Sequence, residues 1–446
     1  MARDTVSEAR LPPGPRLPKA LQTVGFIFGG VRFLEACRRR YGDVVTFRTL
    51  FDSPFVMLFD PAAVKELFQG SAAQLHAGEA NAMLGPIVGE RSVLLLDDHE
   101  HLRHRRLMLP PFHGRRLEAY ADAMREATDL EIESWPVGRE FRLLESMQAL
   151  TLKVIVRAVF GYAPGPEEQE LRRRLRAMIE PLARTRAMFA RALLARLAGR
   201  RAGGPPFQLD ALRRDVDALI YPEIARRRAD PRLGDRDDVF SALLLAEDEQ
   251  GSRLSEREVR DELVTLLLAG HETTATGLAW AFDLLLHSPD VHARAAAGED
   301  RYLDAVVKEA LRIRPVIPGV GRIVRHEPMR IDGHAVPPGI EINPSIRVIH
   351  RRQDLYSDAG AFRPERFLGD ELPDTYTWIP FGGGTRRCLG ASFALMEMRI
   401  VLRRVLERAA LRPVDPALEK IQLRVITQAP RHGVRVRQEA PPKPRP

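Results

Sequence analysis

Cysteine is nearly absent from this chain: Cys37 and Cys388 are the only two among 446 residues. At most one disulfide can form, and a chain this long does not depend on one, which excludes a disulfide scaffold and favours a reducing compartment. Lysine is almost as scarce: 62 of the 68 basic residues are arginine, and the formal charge is +8. A basic balance favours acidic partners. No nucleic-acid-binding module is recognisable, so an acidic protein is the expected one. Long uninterrupted apolar runs are missing too. The longest helical stretch carries Arg260, Asp261, Glu262, His271, Glu272 and Asp283, which exclude a membrane span. LQTVGFIFGG (21–30) is short, contains glycines and follows LPPGPRLP, so it reads as the start of the folded body and not as a leader. A soluble, cytoplasmic protein is expected. No repeat at solenoid spacing is present.

What is present suffices for a large core: 45% of residues are hydrophobic and 29% charged. Strand-like patches occur in DVVTFRT, FVMLFD, MRIDGHAVPPGIEI, EKIQLRVITQ and GVRVR, and most of the remainder has helical periodicity. The reading is a mainly α protein with small β-sheets assembled from distant segments. Residues 11–437 are expected to form a single domain, between flexible ends at 1–10 and 438–446. The basic stretch 171–197, interrupted by Pro181, is either a membrane-surface helix or a solvated helix pair covering the core. The longest helix runs from about 255 to 288. Ser255 and Glu258 form a capping-box pattern, and Pro289 marks its end. Its middle is apolar nearly all round, so it should cross the interior.

Three motifs carry chemistry. AGHETT (269–274) puts an acid, an imidazole and two hydroxyls inside that helix. A zinc site of the HExxH type fails because Ala275 stands where the second histidine is needed. Two readings stay open: Thr273 and Thr274 bond back to carbonyls one turn earlier while Glu272 pairs with a base, or the helix widens at Gly270 and Glu272 and Thr273 line a proton path. Glu309 and Arg312 share a helix face ended by Pro315; they are either a weak exposed pair or, with Arg366 of FRPERF, a buried network. FGGGTRRCLG (381–390) places Cys388 just before a helix N-terminus, where dipole and amides favour a thiolate. Its glycines admit a flat ligand and Arg386 suits a carboxylate. Thiolate, flat face and anion partner together describe a haem with axial cysteine, not covalently attached because CxxCH is absent.

On these residues the chain resembles the cytochrome P450 family from about residue 11 to 437. Phe381, Gly384, Arg386, Cys388 and Gly390 fit F-x-x-G-x-R-x-C-x-G, AGHETT is similar to the oxygen-activation segment, and Glu309, Arg312 and Arg366 to the structural triad. The resemblance implies the P450 fold, haem b, and O2 as co-substrate. It implies haem contacts from His101, Arg105, Ala269, Arg322, Phe381, Gly382, Arg386, Cys388, Leu389 and Gly390, with Cys388 on the iron. Glu272 and Thr273 become the catalytic proton relay. The pocket would draw on Met83, Leu84, Ile87, Val88, Val316, Ile317, Val320, Ile426 and Thr427, and a fatty acid, terpenoid or steroid would be hydroxylated. Electrons would come from NAD(P)H through a reductase and an acidic ferredoxin or flavodoxin docking near Arg103, Arg106, Arg115, Arg116 and Arg387. A monomer is implied. A peroxygenase and a non-catalytic haem sensor are the alternatives. Two positions depart from the family pattern: Asp98, where many relatives have glycine, and Leu355, where proline is frequent.

Overall fold

A computed structural model of the chain describes residues 11–50, 54–112, 114–162, 165–179, 208–370, 372–424 and 426–439. Both expected flexible ends fall almost wholly outside these residues.

The central helix spans Glu256–Leu286, about 46 Å at about 1.5 Å per residue. Its start is the capping box read from the sequence: Ser255 Oγ accepts from the Glu258 amide (3.3 Å) and a Glu258 carboxylate oxygen accepts from the Ser255 amide (2.7 Å). It stops two residues earlier than expected, because Pro289 is the first residue of a further helix, Pro289–Ala296. The central helix lies along Leu143–Phe160, itself buried on nearly every side, and packs on Asp300–Ile313 and Ala391–Arg408. Hydrophobic contact from these four helices forms the main core.

The sheets tie sequence-distant segments together. The largest has the order Val44–Phe47, Phe55–Leu58, Glu341–Pro344, Arg322–Val324, Leu75–His76. Val56 pairs with Ile342 in parallel and Arg322 with Ile342 in antiparallel register, which delivers Arg322 to the interior. The proline strap before it is held by Thr46, whose amide donates to Pro13 O and whose hydroxyl donates to Pro12 O. A three-stranded sheet joins Glu140–Arg142, Arg435–Gln438 and Leu411–Pro413. The hairpin Ile421–Arg424/Thr427–Pro430 lies on the central helix.

The described part of the basic segment belongs to the helix Pro166–Ile179. There Leu171, Leu175 and Met178 are buried against Gln208–Arg228, and Arg173 and Arg174 pair with Glu170 on the outer side. In this part the apolar face is spent on the core. Residues 180–197 lie outside the described residues.

Candidate functional site

The central helix is buried from Val259 to Leu267 and from Thr274 to Leu285, but between them Ala269 is exposed and Gly270, Glu272 and Thr273 are half-buried. Residues 269, 272 and 273 share one face at helical spacing, so an interior helix here borders open space. The helix runs through AGHETT as unbroken α-helix, and the expected widening at Gly270 is not found. Thr273 bonds back instead, its hydroxyl donating to Ala269 O at 2.6 Å. Glu272 accepts from Gln148 Nε2 at 2.6 Å and lies 3.7 Å from Arg424 Nη1. Burial pushes the Glu272 carboxyl above its ordinary range, against the Gln148 bond and the Arg424 charge. His271 is turned away, onto Thr151, and burial lowers it to about 4.

Cys388 lies deep in the fold yet keeps accessible surface. Its loop is fixed by the Cys388 amide donating to Phe381 O (3.0 Å) and by Phe381 against Trp378. Gly384 must be glycine: its φ is +62° and a Cβ there would stand 2.0 Å from the Phe68 carbonyl oxygen. Gly382 is also left-handed, Leu389 is half-buried against the core, and Gly390 opens the helix Ala391–Arg408. Burial raises the Cys388 thiol, while the Gly390 amide, Arg105 and Arg387 favour its thiolate.

Beside this loop four basic side chains converge. His101 and Arg105 are one turn apart on Asp98–Met108, Arg322 comes from the sheet and Arg386 from the cysteine loop. Arg105 donates to Arg387 O, and Arg386 to Val93 O, Leu96 O and Asp97 Oδ1. Arg322 has only Gly321 O as a hydrogen-bond acceptor. Burial and the neighbouring Arg386, Arg105 and Arg322 press His101 down to about 3, and its Nδ1 is buried without a partner. Arg322 and Arg386 both fall to about 10, from burial first. So much positive charge, with Asp97 bonded to Arg386 and Asp98 acting on it from further off, is costly to hold below the surface. It suits a ligand carrying two carboxylates on a flat body. With a thiol beside it and open space over Ala269, the residues fit haem.

Glu309 takes Arg312 bidentately (2.7 and 2.8 Å) and accepts from Arg366 Nε at 3.2 Å and from the Arg363 amide at 2.9 Å. Arg312 also donates to His350 O and Ala359 O and lies over the Tyr356 ring. Glu309 and Arg312 are fully buried, so the exposed-pair reading is excluded. His350 Nε2 accepts from the Ile379 amide, which ties this network to the stretch leading into the cysteine loop.

The expected pocket residues divide. Met83 (60%) and Ile426 (39%) are exposed, Leu84, Ile317 and Val320 are half-buried, and Ile87, Val88, Val316 and Thr427 are buried. Of the expected docking arginines, Arg103 pairs with Asp248 and Glu258, and Arg106 with Glu249. Their charge is thus largely answered within the chain, while Arg387 is exposed. The side chains of Arg115 and Arg116 lie outside the described residues. Asp98 adopts φ +49°, a left-handed backbone in which glycine would be unstrained; its carboxylate stands 3.2 Å from His76 Nε2. Leu355 packs on the sheet cluster. Sequence reasoning missed Asp97, Gln148, Arg424 and Phe68. None has a local signal, since each acts on a motif remote in the chain. Among the described residues no helix is long and apolar enough to cross a membrane.

The chain matches the family model described as Cytochrome P450 over residues 12–434. It is 42% identical over 449 residues to "Putative cytochrome P450 135B1" of Mycobacterium tuberculosis (strain ATCC 25618 / H37Rv), covering 97% of this chain and 92% of that protein. It is 40% identical over 437 residues to "Putative cytochrome P450 137" of the same strain, covering 96% and 90%. Two solved structures share the fold. "Retinoic acid bound cyanobacterial CYP120A1" has TM-score 0.77 at 22% identity, over 97% of this chain and 100% of that one. The cytochrome P450DA heme domain has TM-score 0.78 at 23% identity, over 98% and 99%. The chain belongs to the cytochrome P450 family. It is a haem-thiolate monooxygenase, using O2 and reductase-supplied electrons.

Proposed function

We propose that this enzyme hydroxylates a lipophilic small molecule at a haem held between the Cys388 loop and the face of the central helix that carries Ala269. The observation that carries this reading is the convergence of His101, Arg105, Arg322 and Arg386, where Asp97 bonds to Arg386 and Asp98 acts on it from further off. These four side chains would hold the propionates of a bound haem, and Cys388 would supply the thiolate for its iron, favoured by the Gly390 amide and Arg105. Bound haem supplies activation of O2 and insertion of one oxygen atom into a C–H bond.

The chain's own part is to orient and to move protons. Gln148 holds Glu272, and burial keeps that carboxyl protonated further up the pH scale than an exposed one, which suits it to donate a proton. Thr273 has spent its own proton on Ala269 O, which leaves its oxygen lone pairs facing the open side, ready to accept and pass on a hydrogen bond. Leu84, Ile317, Val320 and Ile426 present apolar surface to a fatty acid, terpenoid or steroid. NAD(P)H reduces a reductase, and an acidic ferredoxin or flavodoxin carries the electrons to the face around Arg387; the pairing of Arg103 and Arg106 reduces their share in steering. We place the enzyme as a monomer in the cytoplasm.

The test is isotopic. A ligand that shifts the haem spectrum is incubated with ferredoxin, reductase, NADPH and labelled dioxygen. One labelled oxygen atom in an alcohol product is expected. Turnover with hydrogen peroxide but not with the reductase chain would make the protein a peroxygenase, and a spectral shift with no product from any ligand would make it a sensor.

A further inference from the structure

Arg424 stands at the tip of the hairpin Ile421–Arg424/Thr427–Pro430, paired in register with Thr427. The second strand is pinned to rigid elements: the Gln428 amide donates to Val316 O and Trp280 Nε1 donates to Gln428 O, both at 2.7 Å. These bonds fix the strand next to Arg424, whose guanidinium lies beside Glu272 at the edge of the accessible stripe on the central helix. That guanidinium is under-used. Among the described residues its side chain is 21% exposed, its Nε is buried with no partner, and the carboxylate paired with it, that of Glu272, is 3.7 Å away, outside hydrogen-bond reach. Other buried arginines of this protein are treated differently. Arg227 is bonded to Glu223, Asp238 and Ser241, and Arg312 to Glu309 and three carbonyls. A planar guanidinium with donors left over, beside the accessible face of the central helix, is a receptor for one more carboxylate.

We propose that Arg424 anchors a carboxylate of the substrate, so that the preferred substrates are lipophilic carboxylic acids. This rests on the pocket assigned above. The hydrocarbon lies along Ile426, Ile317 and Leu84, and the acid group takes the fork that Glu272 engages only loosely. Binding has a second effect. Gln148 and Arg424 are the two groups that face Glu272 and work against its burial. Once Arg424 is taken by a substrate anion that opposition weakens, and whatever fraction of Glu272 is still ionised takes up a proton from solvent beside Thr273. Substrate arrival thereby arms the proton donor.

The experiment uses the haem-loaded enzyme and a set of acids, from decanoic to hexadecanoic acid and retinoic to abietic acid, each beside its methyl ester. Dissociation constants come from the substrate-induced shift of the haem band. The best acid is expected to bind at least about tenfold more tightly than its ester, the scale of a hydrogen bond to a charged group. Arg424→Gln should bring the acid down to the ester's level while leaving the ester unchanged, and Arg424→Lys should restore part of the preference. Calorimetry in two buffers of different ionisation enthalpy should show proton uptake with the acid, lost in Glu272→Gln. If no acid is favoured over its ester, or if Arg424→Gln weakens both equally, the proposal is overturned. Failure of the wider reading looks different: the reduced protein would then lack the thiolate-type carbon monoxide spectrum, whatever the ligand.

Discussion

Two groups of arginines are connected to the cysteine loop, and they are built on opposite terms. Arg312 is complete: a bidentate carboxylate, backbone carbonyls and an aromatic face satisfy it, and no exposed surface remains. Arg322 and Arg386, with Arg105 and His101, are incomplete: Asp97 bonds to Arg386, Asp98 acts on it from further off, and burial together with the neighbouring arginines holds the imidazole neutral. The first group can only be a brace, because nothing is left over for a ligand. The second costs the fold free energy as it stands, and it makes physical sense as half of a site whose other half is an anion. What an arginine is for can thus be read from whether its own chain has finished with it.

The contrast breaks most visibly at Glu309. Glu309→Ala strands Arg312 and Arg366 without their carboxylate and should cost about 3–5 kcal/mol, read from urea unfolding. Arg322→Gln should behave in the opposite way. The apoprotein should unfold at the same urea concentration or higher, while haem affinity, read from transfer to apomyoglobin, falls about tenfold or more. An equal loss of stability in both variants would erase the distinction.

Acid sharpens it further. His350 donates from Nδ1 to Arg312 O and accepts at Nε2 from Ile379, so it works only when neutral, and burial followed by Arg312 holds it at about 3. Its folded value is below the unfolded one of about 6.5, so the unfolded state binds more protons. The stability it contributes is present above about pH 6.5 and is lost toward pH 3, by about 1.4 kcal/mol per pH unit. His101 has the same sign in the apoprotein, with burial as the first cause. Haem propionates beside it should raise its pKa and remove that slope, whereas the slope from His350 should persist. Unfolding curves of both forms between pH 4 and 7, with His101→Gln and His350→Gln as controls, test this. The smallest effect expected is at Asp98: Asp98→Gly relieves a left-handed backbone but loses the His76 contact, for a net gain of at most about 1 kcal/mol in thermal stability.

Much of this was legible in the sequence, wherever the signal is local. The Ser255–Glu258 capping box, the stop at Pro289 and the glycine-rich approach to Cys388 are each written within a few residues. So was the oddity of Asp98, although the positive φ behind it needed the structure. What stayed hidden acts at a distance. Phe68 dictates Gly384 from more than 300 positions away, Gln148 and Arg424 flank Glu272 from different elements, and Asp248 and Glu249 neutralise arginines that composition alone presents as a docking face. The widening expected at Gly270 failed for a plainer reason: the Thr273 hydroxyl returns to the carbonyl one turn back, and the helix stays regular.

The central claim is that the sulfur of Cys388 becomes the axial thiolate of a haem whose propionates complete the Arg322–Arg386 group. Haem-loaded protein is reduced with dithionite, exposed to carbon monoxide and scanned, beside Cys388→Ser prepared in the same way. The account predicts a strongly red-shifted Soret band in the parent and its absence in the variant. The same spectrum in both, or no red shift in the parent, would contradict it.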